Sequence, residues 1–203
     1  MLPVVRPGAV AWTGDNPFIY LKTDENGDWS SLSVFFRIAA SKELGVGRAA
    51  VVVENPYGQK GDDARRLVLT DNVPLAKWLV SDFVSKFLLF RPSTIMEDLE
   101  YVEGATFNQI LDGDDWTEEA VAGDRSITMT WRGLGEAFAV DQPAPESGTG
   151  QHEMFAVFRI AQAGEVTVDG ERLPGATIER DFLNGRGQSA GMAMSETWVE
   201  DPQ

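Results

Sequence analysis

The sequence predicts an all-β, mostly antiparallel fold: a calycin- or lipocalin-like barrel or strongly curved sheet with one amphipathic α-helix. Three observations predict it. Short apolar or alternating runs rich in Val, Ile, Phe and Thr recur along the chain. Compact turn signals such as Asn26-Gly27 and Asn55-Pro56-Tyr57-Gly58 separate them, which suits antiparallel strands, whereas parallel strands need long crossovers. Only between Pro74 and Phe90 do the apolar residues recur at spacings of three and four.

A strand at Phe18–Lys22 leads into the Asn26-Gly27 turn, and Leu32–Ala39, Ala49–Glu54 and Arg66–Thr70 follow as strands. The helix over Pro74–Phe90 takes Asn72 as N-cap and Pro74 in its first turn, and Arg91-Pro92 stops it. Its broad apolar face is expected to cover a sheet or a barrel mouth, since Lys77 and Lys86 are too few for a basic membrane-surface face. Strand signals resume at Leu99–Ile110, Ser126–Trp131, Ala137–Asp141, Met154–Ala161, Glu165–Val168, Thr177–Phe182 and Gln188–Glu200. Residues 1–203 are read as one domain, because only the Pro- and Gly-rich stretch Gln142–Gly150 is polar enough to divide two cores. That stretch is also the candidate lid.

With 32 acidic against 17 basic residues the net charge is −15, which repels phosphate backbones and anionic membranes, so nucleic acid is not an expected partner. The absence of cysteine removes disulfides and thiolate chemistry. The N-terminus lacks a basic-then-apolar leader, and no run approaches the roughly 18 apolar residues of a membrane span. A cytoplasmic location with no membrane insertion is the expectation.

Several motifs fail on context. Gly45-Val46-Gly47 precedes a strand, so no helix N-terminus would face a dinucleotide. Asp112–Trp116 resembles the start of a calcium loop, but Gly123 stands where the bidentate glutamate belongs. The one histidine, His152, cannot build a two-histidine metal site, and Gly187-Gln188-Ser189-Ala190-Gly191 precedes a strand where a nucleophile elbow needs a helix. No cofactor and no metal are expected. What remains are charges within strand-like segments: Arg37, Arg159, Glu103, Glu179, Arg180, Asp181 and Glu196. Those facing inward must be paired or serve a ligand, because burying an unpaired ion costs several kcal/mol. Alternation places Met192, Met194, Glu196 and Trp198 on one face of the last strand. Glu196 and Asp181 are therefore the candidate proton donors, and Arg37, Arg159, Met192, Met194 and Trp198 the candidate ligand contacts.

The run Val168-Asp169-Gly170, then Gly175, then Arg180-Asp181 resembles the second lipocalin-like module of the AttH and carotenoid 1,2-hydratase superfamily, with Phe182 where that pattern has histidine. The resemblance covers about Met154–Glu200. It implies a barrel holding a lipid- or terpenoid-like molecule, with cofactor-independent hydration, isomerisation or cyclisation as the chemistry of relatives. The competing expectation is a non-catalytic structural or assembly protein with a filled core, its Met and aromatic faces forming a subunit contact in a homo-oligomer.

Overall fold

A strand whose consecutive residues are all apolar needs cover on both sides. Phe18-Ile19-Tyr20-Leu21 is buried at every position, as is Arg66–Thr70. In the computed structural model, which describes residues 8–183 and 185–200, these segments belong to a large sheet with a core on each face.

Strands β1 (Ala9–Asp15) and β2 (Phe18–Leu21) are separated only by Asn16-Pro17, and both lie beside β3 (Ser31–Ser41). β3 forms a hairpin with β4 (Gly45–Glu54), and β5 (Arg66–Thr70) adds antiparallel to β4. Helix α1 (Val73–Asp82) lies in the crossover to β6 (Glu100–Glu103), which pairs parallel with β5. The chain then leaves for a second sheet through the meander β7 (Thr106–Asp112), β8 (Asp115–Ala122) and β9 (Arg125–Arg132). β10 (Phe138–Gln142) and β11 (His152–Ile160) return to the large sheet, and β12 (Ala163–Val168) and β13 (Glu171–Arg172) complete the second. β14 (Glu179–Phe182) and β15 (Gly185–Gln188) form a separate ribbon before β16 (Ala190–Glu200) joins β11 to β1. The large sheet runs β10-β11-β16-β1-β3-β4-β5-β6, with β2 also bridging β16 and β3; the second runs β13-β12-β9-β8-β7. Among the described residues no pairing joins β10 to β6. The fold is thus mostly β and mostly antiparallel, with one short helix.

Residues of alternate parity go to different cores. Leu32, Val34 and Phe36 join the core shared with α1, where Trp12 meets Phe36 and Phe83 edge-on. Phe35, Val52, Leu67 and Leu69 face the second sheet and its Ile127, Met129, Trp131 and Val166. The Trp131 indole also donates to the Phe18 carbonyl at 2.9 Å, so the largest side chain of that interface is both buried and hydrogen-bonded.

The helix begins as its sequence predicts: the Asn72 side chain accepts from the Leu75 N–H at 3.1 Å, and Pro74 stands in the first turn. It ends at Asp82 instead of Phe90. Val84–Lys86 form a 3₁₀ turn, yet Phe83, Val84 and Phe90 are fully buried, so the apolar spacing of three and four continues through turns that keep facing the core. The strand expected over Leu99–Ile110 is broken at Gly104, whose φ of +80° turns the chain from one sheet to the other. Asp112–Trp116 spans the β7–β8 hairpin, with Gly113-Asp114 as its two-residue turn.

Register shifts reset the faces in β1, between Val10 and Trp12, and at two bulges that bear on the site. In β16, Ala193 opposes Phe158 and Ser195 opposes Val157, which leaves Met194 as the extra residue. In β3 the register slips between Phe36 and Ala39, and the Asp15 carboxylate accepts the Arg37 and Ile38 N–H groups there at 3.0 and 3.2 Å. Gly14 lies beside this bulge, where a Cβ would collide with the Ile38 carbonyl oxygen, a backbone atom fixed by the sheet. Gly14→Ala is therefore expected to destabilise the fold by about 1–3 kcal/mol, read as a lower urea midpoint with an unchanged slope.

Candidate functional site

Phe18 and Tyr20 at alternate positions of β2, Phe158 of β11 and Trp198 of β16 border a cavity of about 500 Å³ on the α1 side of the large sheet. Phe18 and Tyr20 of β2, Met154 and Phe158 of β11, and Glu196 and Trp198 of β16 line the sheet side. Phe87–Leu89 and Arg91 after the helix form one wall, parts of Gln142–Gly150 a second, and Arg180–Leu183 of the β14–β15 ribbon a third. The proline- and glycine-rich stretch is thus a structured wall. Thr149 fastens it: its hydroxyl accepts from the backbone N–H groups of Gln151 and His152 and bonds the His152 ring at 3.1 Å. The His152 ring packs 4.5 Å from Phe83 and burial lowers its pKa, so the single histidine acts as an anchor of this wall.

Glu196 is 3% exposed. Trp198 donates its indole N–H to the carboxyl at 3.2 Å, and the Asn16 side chain lies beside it. These contacts do not offset the loss of water: burial pushes the Glu196 pKa up to about 8, and the negative charge of Asp15 adds to the rise. At neutral pH the group is a neutral carboxylic acid, able to donate a hydrogen bond or a proton into the cavity. Tyr20, buried beside it, has its phenol pKa raised for the same reason.

The expected site residues separate into two sets. Glu196, Asp181 and Trp198 all border the cavity. Asp181 stands at its rim, its side chain 92% exposed and 3.7 Å from Arg186, so it meets water where Glu196 meets apolar surface. Met192 and Met194 do not share the Glu196 face: the bulge at Met194 turns both toward the second sheet, where Met192 is fully buried. Arg37 also faces the second sheet, 2.9 Å from Asp15 and stacked over Trp116 at 4.4 Å. Arg159 donates to the carbonyls of Gly135 and Leu134, tying down the chain before β10. Neither arginine borders the cavity. Ser189 is fully buried and bonded to the Tyr20 carbonyl and the Ile178 N–H, a structural tie between β2 and the segment before the ribbon. The cavity residue that the sequence reading left among unassigned charges is Arg180.

No protein-family model, curated protein or solved structure matches the chain. Among the described residues no group of three or more metal-ligating side chains is found, and no helix is long and apolar enough to cross a membrane.

The raised Glu196 pKa makes stability depend on pH. Between the ordinary value of 4.5 and about 8 the folded state holds a proton that the unfolded chain releases. Stability is full below that window and falls by about 1.4 kcal/mol per pH unit through it. Asp15 and Glu118, both raised by burial, contribute with the same sign. Urea titrations at pH 5, 6.5 and 8 are therefore expected to show falling stability, with a shallower fall in Glu196→Gln.

Proposed function

We propose that this protein binds a hydrophobic small molecule, lipid- or terpenoid-like, in the cavity over β2, β11 and β16. The observation that carries the reading is the cavity itself: about 500 Å³, bordered by Phe18, Met154, Phe158, Phe182 and Trp198, with the charged groups of Arg91, Glu146, Arg180, Asp181 and Glu196 among its apolar walls. That volume lies within the range of sites that enclose small ligands, and a few polar groups among apolar walls is their usual composition. The resemblance of Met154–Glu200 to the AttH and carotenoid 1,2-hydratase superfamily points to the same class of molecule.

Glu196 gives the site a chemical option beyond carriage. A neutral carboxylic acid in an apolar cavity can protonate an alkene or a leaving hydroxyl, and its conjugate base can recover the proton from a carbocation, which is the chemistry of cofactor-independent hydration, isomerisation or cyclisation. Its indole partner Trp198 fixes the carboxyl and presents an aromatic face to the same space.

Two measurements test the reading. An apolar fluorescent probe is expected to saturate at one equivalent and to be displaced by lipid- or terpenoid-like competitors. Gly148→Phe, built where a Cβ meets Phe87 and Trp198 at ordinary contact distances of 3.4 and 3.6 Å, should block it. Absence of probe binding to the folded wild type would favour the filled-core, structural reading. If turnover of a terpenoid or lipid is found, Glu196→Gln should lower it roughly 10²–10⁴-fold; unchanged turnover would remove Glu196 from the mechanism and leave a carrier.

A further inference from the structure

In a chain with nearly twice as many acidic as basic residues, an arginine without a carboxylate is conspicuous. Nine of the described arginines, from Arg37 to Arg186, have an acidic partner within 4 Å. Arg91 and Arg180 are the two described arginines that do not, and both border the cavity.

Arg180 is the better placed of the pair. Its guanidinium lies 5.2, 5.3 and 5.6 Å from the ring centroids of Phe182, Tyr20 and Phe18, three of the cavity's own walls. Rings stabilise a cation partly, but they accept no strong hydrogen bond. One N–H donates to the Asp181 carbonyl at 3.2 Å, while the Nε is buried with no acceptor. The carboxyl of Asp181 points to solvent, and Glu196 is held by Trp198. The Tyr20 hydroxyl has no hydrogen-bond partner among the described residues, so the polar end of the cavity presents donors that no described side chain satisfies. Arg91, more exposed, donates to the carbonyls of Lys86 and Gly148 and adds a second positive charge at the wall opposite the ribbon.

We propose that the ligand of this cavity is an apolar-tailed monocarboxylate whose anionic head lies against Arg180 and whose tail runs over Phe158, Met154 and Trp198. The proposal rests on the ligand-binding reading of the cavity and adds the head-group chemistry. A carboxylate supplies the counter-charge that a half-buried guanidinium lacks and a planar pair of acceptors that fits it. Glu196 in its neutral form does not repel such a head.

Matched acids and alcohols separate head from tail: decanoate against decanol, and geranate against geraniol, each titrated at pH 6.5 against the wild type by Trp fluorescence or calorimetry. The better of the two pairs identifies a straight or branched tail. The acid is expected to bind at least roughly ten-fold more tightly than its alcohol. Arg180→Gln should erase that preference, lowering acid affinity roughly ten-fold or more while the alcohol stays within about two-fold; Arg180→Lys, which keeps the charge, should retain part of it. Melting curves establish that each variant is folded. Equal binding of acid and alcohol to the wild type, or a loss in Arg180→Gln that is the same for both, would overturn the carboxylate assignment while leaving the apolar site standing. Binding of neither member of either pair to the folded wild type would overturn both.

Discussion

The large sheet is covered on both faces, and the rest of the structure follows from that constraint. A sheet with one wet face can tolerate a slipped register by exposing a few apolar residues; here a one-residue slip would exchange the occupants of two different cores. Phe35 and Phe36 are neighbours in sequence and belong to opposite cores. The second sheet is needed because Phe35, Val52, Leu67 and Leu69 would otherwise face water, and α1 with its following turns is needed because Val34, Phe36 and Val51 would do so on the other side.

Within this arrangement the two bulges change which residues face which layer without breaking the strands. In β16 the extra Met194 lets one strand deliver Met192 to the core between the sheets and, a few residues later, Glu196 and Trp198 to the cavity. In β3 the slip after Phe36 leaves two N–H groups without strand partners, and Asp15 receives both while pairing with Arg37. Burial raises the pKa of both acids, but the two are compensated differently. Asp15 is given a cation and two backbone donors, whereas Glu196 is given an indole and apolar walls. The first arrangement suits a structural carboxylate. The second holds a proton.

Much of this was legible in the residues. The Asn26-Gly27 turn, the Asn72 cap and the strands on either side of them follow from local chemistry, and alternation correctly joined Glu196 to Trp198. Alternation failed at Met192 and Met194 because a bulge adds one residue without leaving a turn signal in the sequence. β8 carries little strand signal because Asp115, Glu118 and Glu119 are acidic; Glu118 is buried, hydrogen-bonded by Gln109 and Trp116 and close to Arg37. β1 was missed for a similar reason, since Gly14 and Asp15 are poor strand formers that here serve a close approach and a bulge. Arg180 could be recognised as a strand charge but not as an unpaired one, because pairing depends on which acids the fold brings near it.

The cavity's cover comes from stretches of chain that contribute little to either sheet. Gln142–Gly150 hangs on Thr149, His152 and the side chains of Lys86 and Arg91, and the β14–β15 ribbon pairs only with itself. Opening these segments breaks few backbone bonds of the central strands, so their amides exchange with solvent through local excursions while those of β3 and β4 wait for global unfolding. The free energy of opening the cavity is in this way uncoupled from the free energy of keeping the sheets together.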